Sequence, residues 1–285
     1  MAGVRFMRHR RWADALFVHF PVDSAKLAAL LPPDLDVDEH EGTAYVGIVA
    51  LTEEDIVPFP PGIPLWLVRW MGLSHHAVNV RTYVRPKGGG PAGIYFFSLD
   101  CSALLPTLGA RALFNLPYRY SWFQRSEAVF THDGRPAKRL ESRSIASKTA
   151  FSATWAAAGD DCDDDPLGAF FVERYALYNE GGWSLLGMWR WATSRGCVAS
   201  SRTWSGTITH EPWPLRRATL GTWHSSVLEA VGLDRIVRTG SSRASNDDNP
   251  AGVEQHEDVI VHCSSGVGPI EFFLACAPEE HEKSV

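Results

Sequence analysis

The chain has 285 residues, a net charge of −6 and 45% hydrophobic residues, which is a composition typical of folded globular proteins. This composition excludes a disordered protein, and the negative charge argues against general binding to nucleic acid or to anionic membranes. The five cysteines are widely spaced and contain no C-x-x-C pair, so we expect free thiols in a cytoplasmic protein. No apolar run reaches about 18 residues, and we therefore expect no integral membrane segment.

Short strand-like runs dominate the first half of the chain. A strand at 17–21 is followed by a short helix at 24–31, which Ser24 caps and a Pro-Pro pair ends, and then by a strand at 43–51. Two further strands, 78–85 and 94–101, form a hairpin, because a glycine-rich turn returns the chain between them. A helix at 106–115 ends before Pro117, and strands follow at 118–125 and 142–154.

The second half continues the same pattern. It contains predicted strands at 170–178, 203–210, 259–263 and 270–276, and an amphipathic helix at 222–231 that Gly232 ends. Helices are few, and strands and helices do not alternate regularly. The sequence therefore predicts an α+β fold that is mainly antiparallel sheet, with a few helices packed on it.

Several motifs of known chemistry are incomplete. Residues 88–93 match G-x-G-x-x-G, but a strand follows where a dinucleotide site needs a helix, so we interpret them as a hairpin turn. The sequence contains no Walker A motif, no H-E-x-x-H motif and no G-x-S-x-G elbow. The acidic run at 160–165 lacks the ligand spacing of a calcium loop and is typical of a solvated loop. We expect no cofactor and no metal.

Several segments together resemble one family. The most specific pair is N-V-R-T-Y-V at 79–84 with F-F-S-L-D at 96–100, supported by W-A-D-A-L-F-V-H-F-P-V at 12–22 and H-E-P-W-P-L at 210–215. They resemble the acetoacetate decarboxylase-like superfamily, in particular its uncharacterised YqjF-like branch. The resemblance implies a single domain over 1–285, in which a partly closed β-barrel or cone encloses a small-molecule cavity.

The resemblance does not bring the decarboxylase chemistry with it. In that superfamily a lysine after a Phe-Pro or Tyr-Pro step forms a Schiff base, whereas here the step is Leu-Pro and Tyr118 follows. The glutamate that usually precedes the Asn-Val-Arg strand by two positions is replaced by Ala77. We therefore expect no lysine imine, unless Lys87, Lys138 or Lys148 enters the cavity.

The strand at 78–85 carries polar residues on one face. Asn79, Arg81 and Tyr83 alternate with valines, and we expect the valines to pack between barrel and helices while Arg81 faces the lumen. A guanidinium group there suits a carboxylate or an enolate oxygen. The alternative is a structural ion pair between Arg81 and Glu173.

Other strands supply candidates for proton transfer. Tyr118 shares a face with Tyr120, and its hydroxyl could donate to a developing oxyanion or serve as a core aromatic. Glu173, which shares a face with Tyr175, could be a general base or the ion-pair partner of an arginine. His76 could be a base near neutral pH or a loop histidine without a role.

Two apolar segments, 56–73 and 183–204, carry tryptophans that include Trp66 and Trp189. They could form flaps over the barrel mouth, a homodimer contact or additional core. Residues 238–252 are polar, and we expect them to form a mobile loop.

The sequence thus predicts a cofactor-independent lyase, isomerase or cyclase that acts on a fairly apolar, enolisable carbonyl compound. The predicted catalytic residues are Arg81, Tyr118, Glu173 and His76. The predicted substrate-binding residues are Asn79, Tyr83, Tyr120, Tyr175, Trp66 and Trp189. The alternatives are a barrel that binds a small molecule without catalysis and an interaction protein that uses its tryptophan-rich flaps.

Overall fold

The computed structural model describes residues 4–58, 73–130, 134–145, 147–161, 165–180, 203–209, 213–230, 232–233 and 259–274. The strands of these residues are β1 Val4–His9, β2 Arg11–Val22, β3 Leu35–Val37, β4 Ala44–Pro58, β5 Leu73–Pro86, β6 Gly93–Cys101, β7 Tyr118–Phe130, β8 Pro136–Ser144, β9 Ala150–Asp161, β10 Ala176–Glu180, β11 Thr203–Thr209, β12 Arg216–Ser225, β13 Ile260–Val267 and β14 Ile270–Leu274. The helices are α1 Ser24–Ala28, α2 Leu104–Phe114, α3 Pro166–Val172 and α4 Val227–Ala230. The predicted fold class is confirmed.

Three predicted elements differ from the structure. The single strand predicted at 142–154 is divided between the end of β8 and the start of β9. Residues 170–172 belong to helix α3 and not to a strand, because Asp165 caps the helix by accepting from the Leu167 N–H, and Pro166 occupies its first turn. The predicted helix at 222–231 is wrong over its first half, because β12 continues to Ser225 in its pairing with β9. The latter two segments are short apolar runs, whose periodicity does not separate strand from helix.

Nine strands close into one hydrogen-bonded ring, which we call the nine-strand ring. The order around it is β2, β4, β5, β6, β7, β8, β9, β12 and β13, and β13 pairs with β2 to close it. All neighbours are antiparallel except β6 and β7, which are parallel. Its interior is an apolar cluster to which all of these strands contribute, including Leu16, Ile48, Val80, Leu140 and Trp155.

A second ring shares three strands with the first. Its order is β1, β14, β11, β10, β6, β5 and β4, and β4 pairs with β1 to close it, so we call it the seven-strand ring. The parallel pairing of β10 with β6 requires a glycine, since a Cβ at Gly93 would lie 2.4 Å from the Ala176 carbonyl oxygen. The rings share β4, β5 and β6.

Both faces of the shared strands are therefore enclosed. Val78 and Val80 point into the nine-strand ring, whereas Ala77 and Tyr83 pack in a second apolar cluster with Phe171 of α3. We expected the valines between barrel and helices, and the structure has the reverse arrangement. It is the face of Asn79, Arg81 and Tyr83 that the helix covers, inside the seven-strand ring.

Candidate functional site

Arg81 and Tyr83 hold the end of helix α3. Arg81 Nη2 donates to the Phe171 carbonyl oxygen at 3.0 Å, and the Tyr83 hydroxyl donates to the same oxygen at 3.2 Å. His19 Nε2 lies 2.6 Å from the Tyr83 hydroxyl, and its ring stacks on Phe171 with centroids 3.6 Å apart. The Nε of Arg81 is buried and has no hydrogen-bond partner among the described residues. One donor of Arg81 thus remains for a ligand.

Glu173 does not pair with Arg81. It caps the end of α3, accepts from the Tyr175 hydroxyl, and accepts from the Trp213 N–H at 3.3 Å. Burial, together with the hydrogen bond to Glu173, raises the pKa of Tyr175 to about 12. Arg174 instead forms the buried ion pair, with Asp38 at 2.6 Å. The contacts of Glu173 and Tyr175 are therefore those of a helix end.

His76 lies on the opposite face of β5 from Arg81, because successive residues of a strand alternate in direction. Its Nδ1 is 2.9 Å from the Thr52 hydroxyl, and burial, followed by the charge of Arg125, lowers its pKa. The structure therefore does not bring His76 to the other predicted catalytic residues.

Tyr120 is 41% exposed on the outside of β7. Trp66 and Trp189 lie outside the described residues, as does nearly all of both predicted flaps and the whole of 238–252.

Tyr118 is on the same face as Asn79 and Arg81. Leu99 pairs with Asn79 on one side and with Tyr118 on the other, so these three side chains project from the same face of the sheet. Burial raises the pKa of Tyr118 well above its ordinary value, and the negative charge of Glu53 adds to this effect. The phenol therefore stays protonated at neutral pH and lies near Glu53.

A buried carboxylate with two imidazoles completes this end of the ring. Glu53 Oε2 lies 3.0 Å from His9 Nδ1 and 3.8 Å from His75 Nε2, and at most 9% of any of the three side chains is exposed. We call His9, Glu53, His75 and Tyr118 the Glu53 cluster. Glu53 and His75 are paired residues of β4 and β5, and His9 ends β1.

The titration of the cluster follows from its burial and its charges. Burial by itself raises the pKa of Glu53, but His9 and His75 outweigh it, so the pKa is lowered overall. Burial lowers the pKa of His75, against the opposing charge of Glu53. At neutral pH the carboxyl group is therefore ionised, the His75 imidazole is neutral and the phenol of Tyr118 carries its proton.

The strand register places Ala77 between the acid and the arginine. His75, Ala77, Asn79 and Arg81 follow one another on one face of β5 at spacings of roughly 7 Å. Ala77, with only a methyl group, is the smallest side chain of this row and is buried. Within the described residues, the ring nitrogens of His75, the Oδ1 of Asn79 and the Nε of Arg81 are buried without hydrogen-bond partners. Buried polar atoms without partners are costly, so this row suits a polar ligand.

The sequence analysis missed the Glu53 cluster, although a signal for it exists. Glu53 continues the inward positions of β4 after Val49 and Leu51, so a carboxylate stands where an apolar residue is expected.

No group of three or more His, Cys, Asp or Glu side chains in the described part of the chain has the arrangement of a metal site. No described helix is long and apolar enough to cross a membrane.

Solved structures with the same fold include proteins that are named as enzymes. The enduracididine biosynthesis enzyme MppR complexed with pyruvate has a TM-score of 0.54 at 10% identity, over 97% of this chain and 91% of that one. An acetoacetate decarboxylase from Legionella pneumophila has a TM-score of 0.52 at 12% identity, over 96% of this chain and 86% of that one. At these identities the similarity demonstrates the fold alone.

Sequence comparison identifies the family. The uncharacterized protein YqjF of Bacillus subtilis is 30% identical over 237 residues, which cover 81% of this chain and 84% of YqjF. Residues 9–267 match the model of the DUF2071 family, described as an uncharacterized conserved protein. The chain therefore belongs to the DUF2071 family and has the acetoacetate decarboxylase-like fold that the sequence predicts.

Proposed function

We propose that the protein is a cofactor-independent enzyme of lyase, isomerase or cyclase type, which moves a proton on the carbon next to a carbonyl group. The observation that carries this proposal is an ionised Glu53 between two imidazoles, near a protonated Tyr118. Two titratable groups whose pKa values are shifted in opposite directions are the arrangement that acid and base catalysis needs.

Each residue of the site then has one role. Glu53 takes the proton from the carbon, and the electron pair of the broken C–H bond moves to the carbonyl oxygen. Tyr118 donates a hydrogen bond to that oxygen as its charge develops. Arg81 binds a carboxylate of the substrate through its free Nε. His9, whose Nδ1 lies 3.0 Å from Glu53 Oε2, orients the carboxylate, and the proton returns from Glu53 to another atom of the substrate.

The substrate class that we propose is a small oxo acid. One neighbour of the fold is named as an acetoacetate decarboxylase and another is complexed with pyruvate, and both compounds are oxo acids with exchangeable protons. Tyr118 stands at the position of the Schiff-base lysine in the superfamily, so we propose that the reaction proceeds without an imine. Glu173 and His76 are not part of this site, because their hydrogen bonds are made elsewhere.

Deuterium exchange tests the proposal directly. In D₂O near neutral pH, the wild-type protein should accelerate the loss of the methyl proton signal of pyruvate, followed by NMR. Glu53→Gln should slow this exchange about 100-fold or more, as expected for the loss of a general base. Tyr118→Phe should slow it by a smaller factor. Glu54→Gln is the matched control, because Glu54 is the next residue of β4 and forms an ion pair with Arg10 at the surface.

Borohydride provides the control for imine chemistry. Reduction in the presence of acetoacetate should leave the mass of the protein unchanged, and a stoichiometric adduct on a lysine would contradict the proposed mechanism. If pyruvate binds to the wild-type protein but its protons exchange no faster than in buffer alone, the protein binds the ligand without catalysis. If Glu53→Gln accelerates exchange as much as the wild type, Glu53 is not the base. The unpartnered polar atoms beside Ala77 support that second candidate function as well.

A further inference from the structure

The interior of the nine-strand ring has a polar wall that the proposed function does not use. Ser98 and Asp100 of β6 pair with Val80 and Val78, whose side chains point into this interior. Ser142 of β8 pairs with Phe151 of β9, which lies in the same apolar cluster. Each of the two serines and Asp100 is only 1% exposed. Polar side chains thus line one side of an otherwise apolar interior.

The charges of this wall cancel within it. Arg119 Nε donates to Asp100 Oδ1 at 2.7 Å, and burial raises the pKa of Asp100 in spite of this ion pair. Among the described residues, the hydroxyls of Ser98 and Ser142 and the Nη2 of Arg119 are buried and have no hydrogen-bond partner. Three unpartnered polar groups would cost stability unless something in the interior bonds to them.

The same wall carries small side chains. Five of the interior positions on β6, β7, β8 and β9 hold side chains of one or two non-hydrogen atoms, namely Ser98, Ser121, Ser142, Ser144 and Ala153. Larger side chains such as Leu140 and Trp155 occupy other interior positions of the same strands. A barrel of about eight strands is just wide enough to be filled by its side chains or to hold one small ligand. The opposite wall, from β2 and β4, is apolar and includes Val18, Phe20, Val46 and Ile48.

We propose that the interior of the nine-strand ring is a second binding site, which takes a small uncharged molecule with a hydroxyl or carbonyl group on one side and a hydrocarbon body on the other. The polar group bonds to Ser98, Ser142 and Arg119, and the hydrocarbon lies against the apolar wall. A charged ligand does not fit this wall, because the charges of Asp100 and Arg119 neutralise each other, as do those of Arg125 and Asp14 farther along β7. The site is separated from the Glu53 cluster by the shared strands β4, β5 and β6, and it does not rest on the proposed function.

Cyclohexanol is a suitable probe, because it has one hydroxyl and an apolar ring. Isothermal titration calorimetry should show saturable binding of one molecule to the wild-type protein. Ser142→Ala and Ser98→Ala should each weaken this binding about five-fold, the effect of one lost hydrogen bond, and together they should weaken it further. Ser152→Ala is the matched control, since Ser152 is on the opposite face of β9 from Ala153 and should bind the probe as the wild type does.

Glu53→Gln separates this site from the proposed active site, and it should leave the affinity for cyclohexanol unchanged. Each serine variant should fold, because alanine removes only an unpartnered hydroxyl. A crystal of the wild-type protein soaked in cyclohexanol provides a second measurement. Density for the ring beside Ser142 would support the proposal. Absence of saturable binding, equal affinity of the double serine variant, or ordered water alone at Ser98 and Ser142 after soaking would overturn it.

Discussion

Glu53 illustrates what a single residue can reveal at the end of a strand. A carboxylate at an inward position costs free energy unless a partner offsets its burial, and His9 and His75 are those partners. Neither histidine could be assigned to Glu53 from the sequence, because His9 belongs to β1 and His75 to β5. Tyr118 could be singled out from the sequence, since it follows a Leu-Pro step that the resemblance marks. The strand pairing was needed to place it beside Glu53.

Arg81→Lys tests the structural role of the arginine. Arg81 holds the Phe171 carbonyl at the end of α3, and lysine has no planar fork to reproduce this bond and also reach a ligand. We expect the free energy of unfolding in urea to fall by about 1–3 kcal/mol. The affinity for pyruvate should fall as well.

Arg85→Lys is the control for this substitution. Arg85 is on the same strand, its side chain is 60% exposed, and it pairs with Asp38 at 2.5 Å. Lysine keeps a positive charge near Asp38, and Asp38 also keeps its ion pair with Arg174, so the stability should change little. Equal stability of Arg81→Lys and the wild type would show that Arg81 does not anchor α3.

At the scale of elements, helix α3 is the part of the site that sequence patterns describe worst. Its ends are fixed by side chains from distant strands: His262 Nε2 is 3.2 Å from Asp165 at the start, and Arg81 Nη2 donates to the Phe171 carbonyl at the end. The β5–β6 hairpin and α2 were predicted correctly, because their turn and stop residues are local. The Asp-Pro step before α3 is a local helix signal as well, and the apolar run after it obscured it.

Substitutions of Asp165 test how α3 is held. Asp165→Ala removes both the helix cap and the partner of His262, and we expect it to lower the free energy of unfolding by about 0.5–2 kcal/mol. Asp165→Asn keeps a capping oxygen but loses the charge, so its effect should be smaller. Asp36→Asn, at a side chain that is 63% exposed, is the control. If Asp165→Asn is as destabilising as Asp165→Ala, the contact with His262 outweighs the cap.

At the scale of the whole molecule, the sequence predicted a barrel but not two rings. The rings close through pairs between distant parts of the chain, such as β1 with β14 and β2 with β13. Local periodicity contains no information on such partners. For the same reason the direction of the valine face of β5 could not be predicted, since both of its faces are enclosed and only the pairing decides which ring receives which face.

Buried histidines predict a loss of stability in acid. His19, His75 and His262 are at most 4% exposed, and burial lowers the pKa of each of them in the folded state. The unfolded chain binds these protons near pH 6.5, at which the folded chain does not, so stability falls as the pH falls below that value. Each histidine removes up to about 1.4 kcal/mol per pH unit.

Urea unfolding between pH 7.5 and 5.5 measures this dependence. The slope below pH 6.5 should correspond to about three protons, and His262→Asn should reduce it by about one. A free energy of unfolding that stays constant over this range would contradict the prediction.

Closure of the two rings also limits how copies of the chain can associate. Among the described strands, only β3 has a neighbour on one side alone, and it is three residues long. An open strand edge is a template on which another chain can extend the sheet, and it is a common origin of aggregation. Within the described strands, open edges also remain along the parts of β7 after Tyr120 and of β12 after Arg217, which pair on one side only. Self-association of this part of the molecule can use those edges or side-chain surfaces, such as the exposed leucines Leu104, Leu105 and Leu108 of α2.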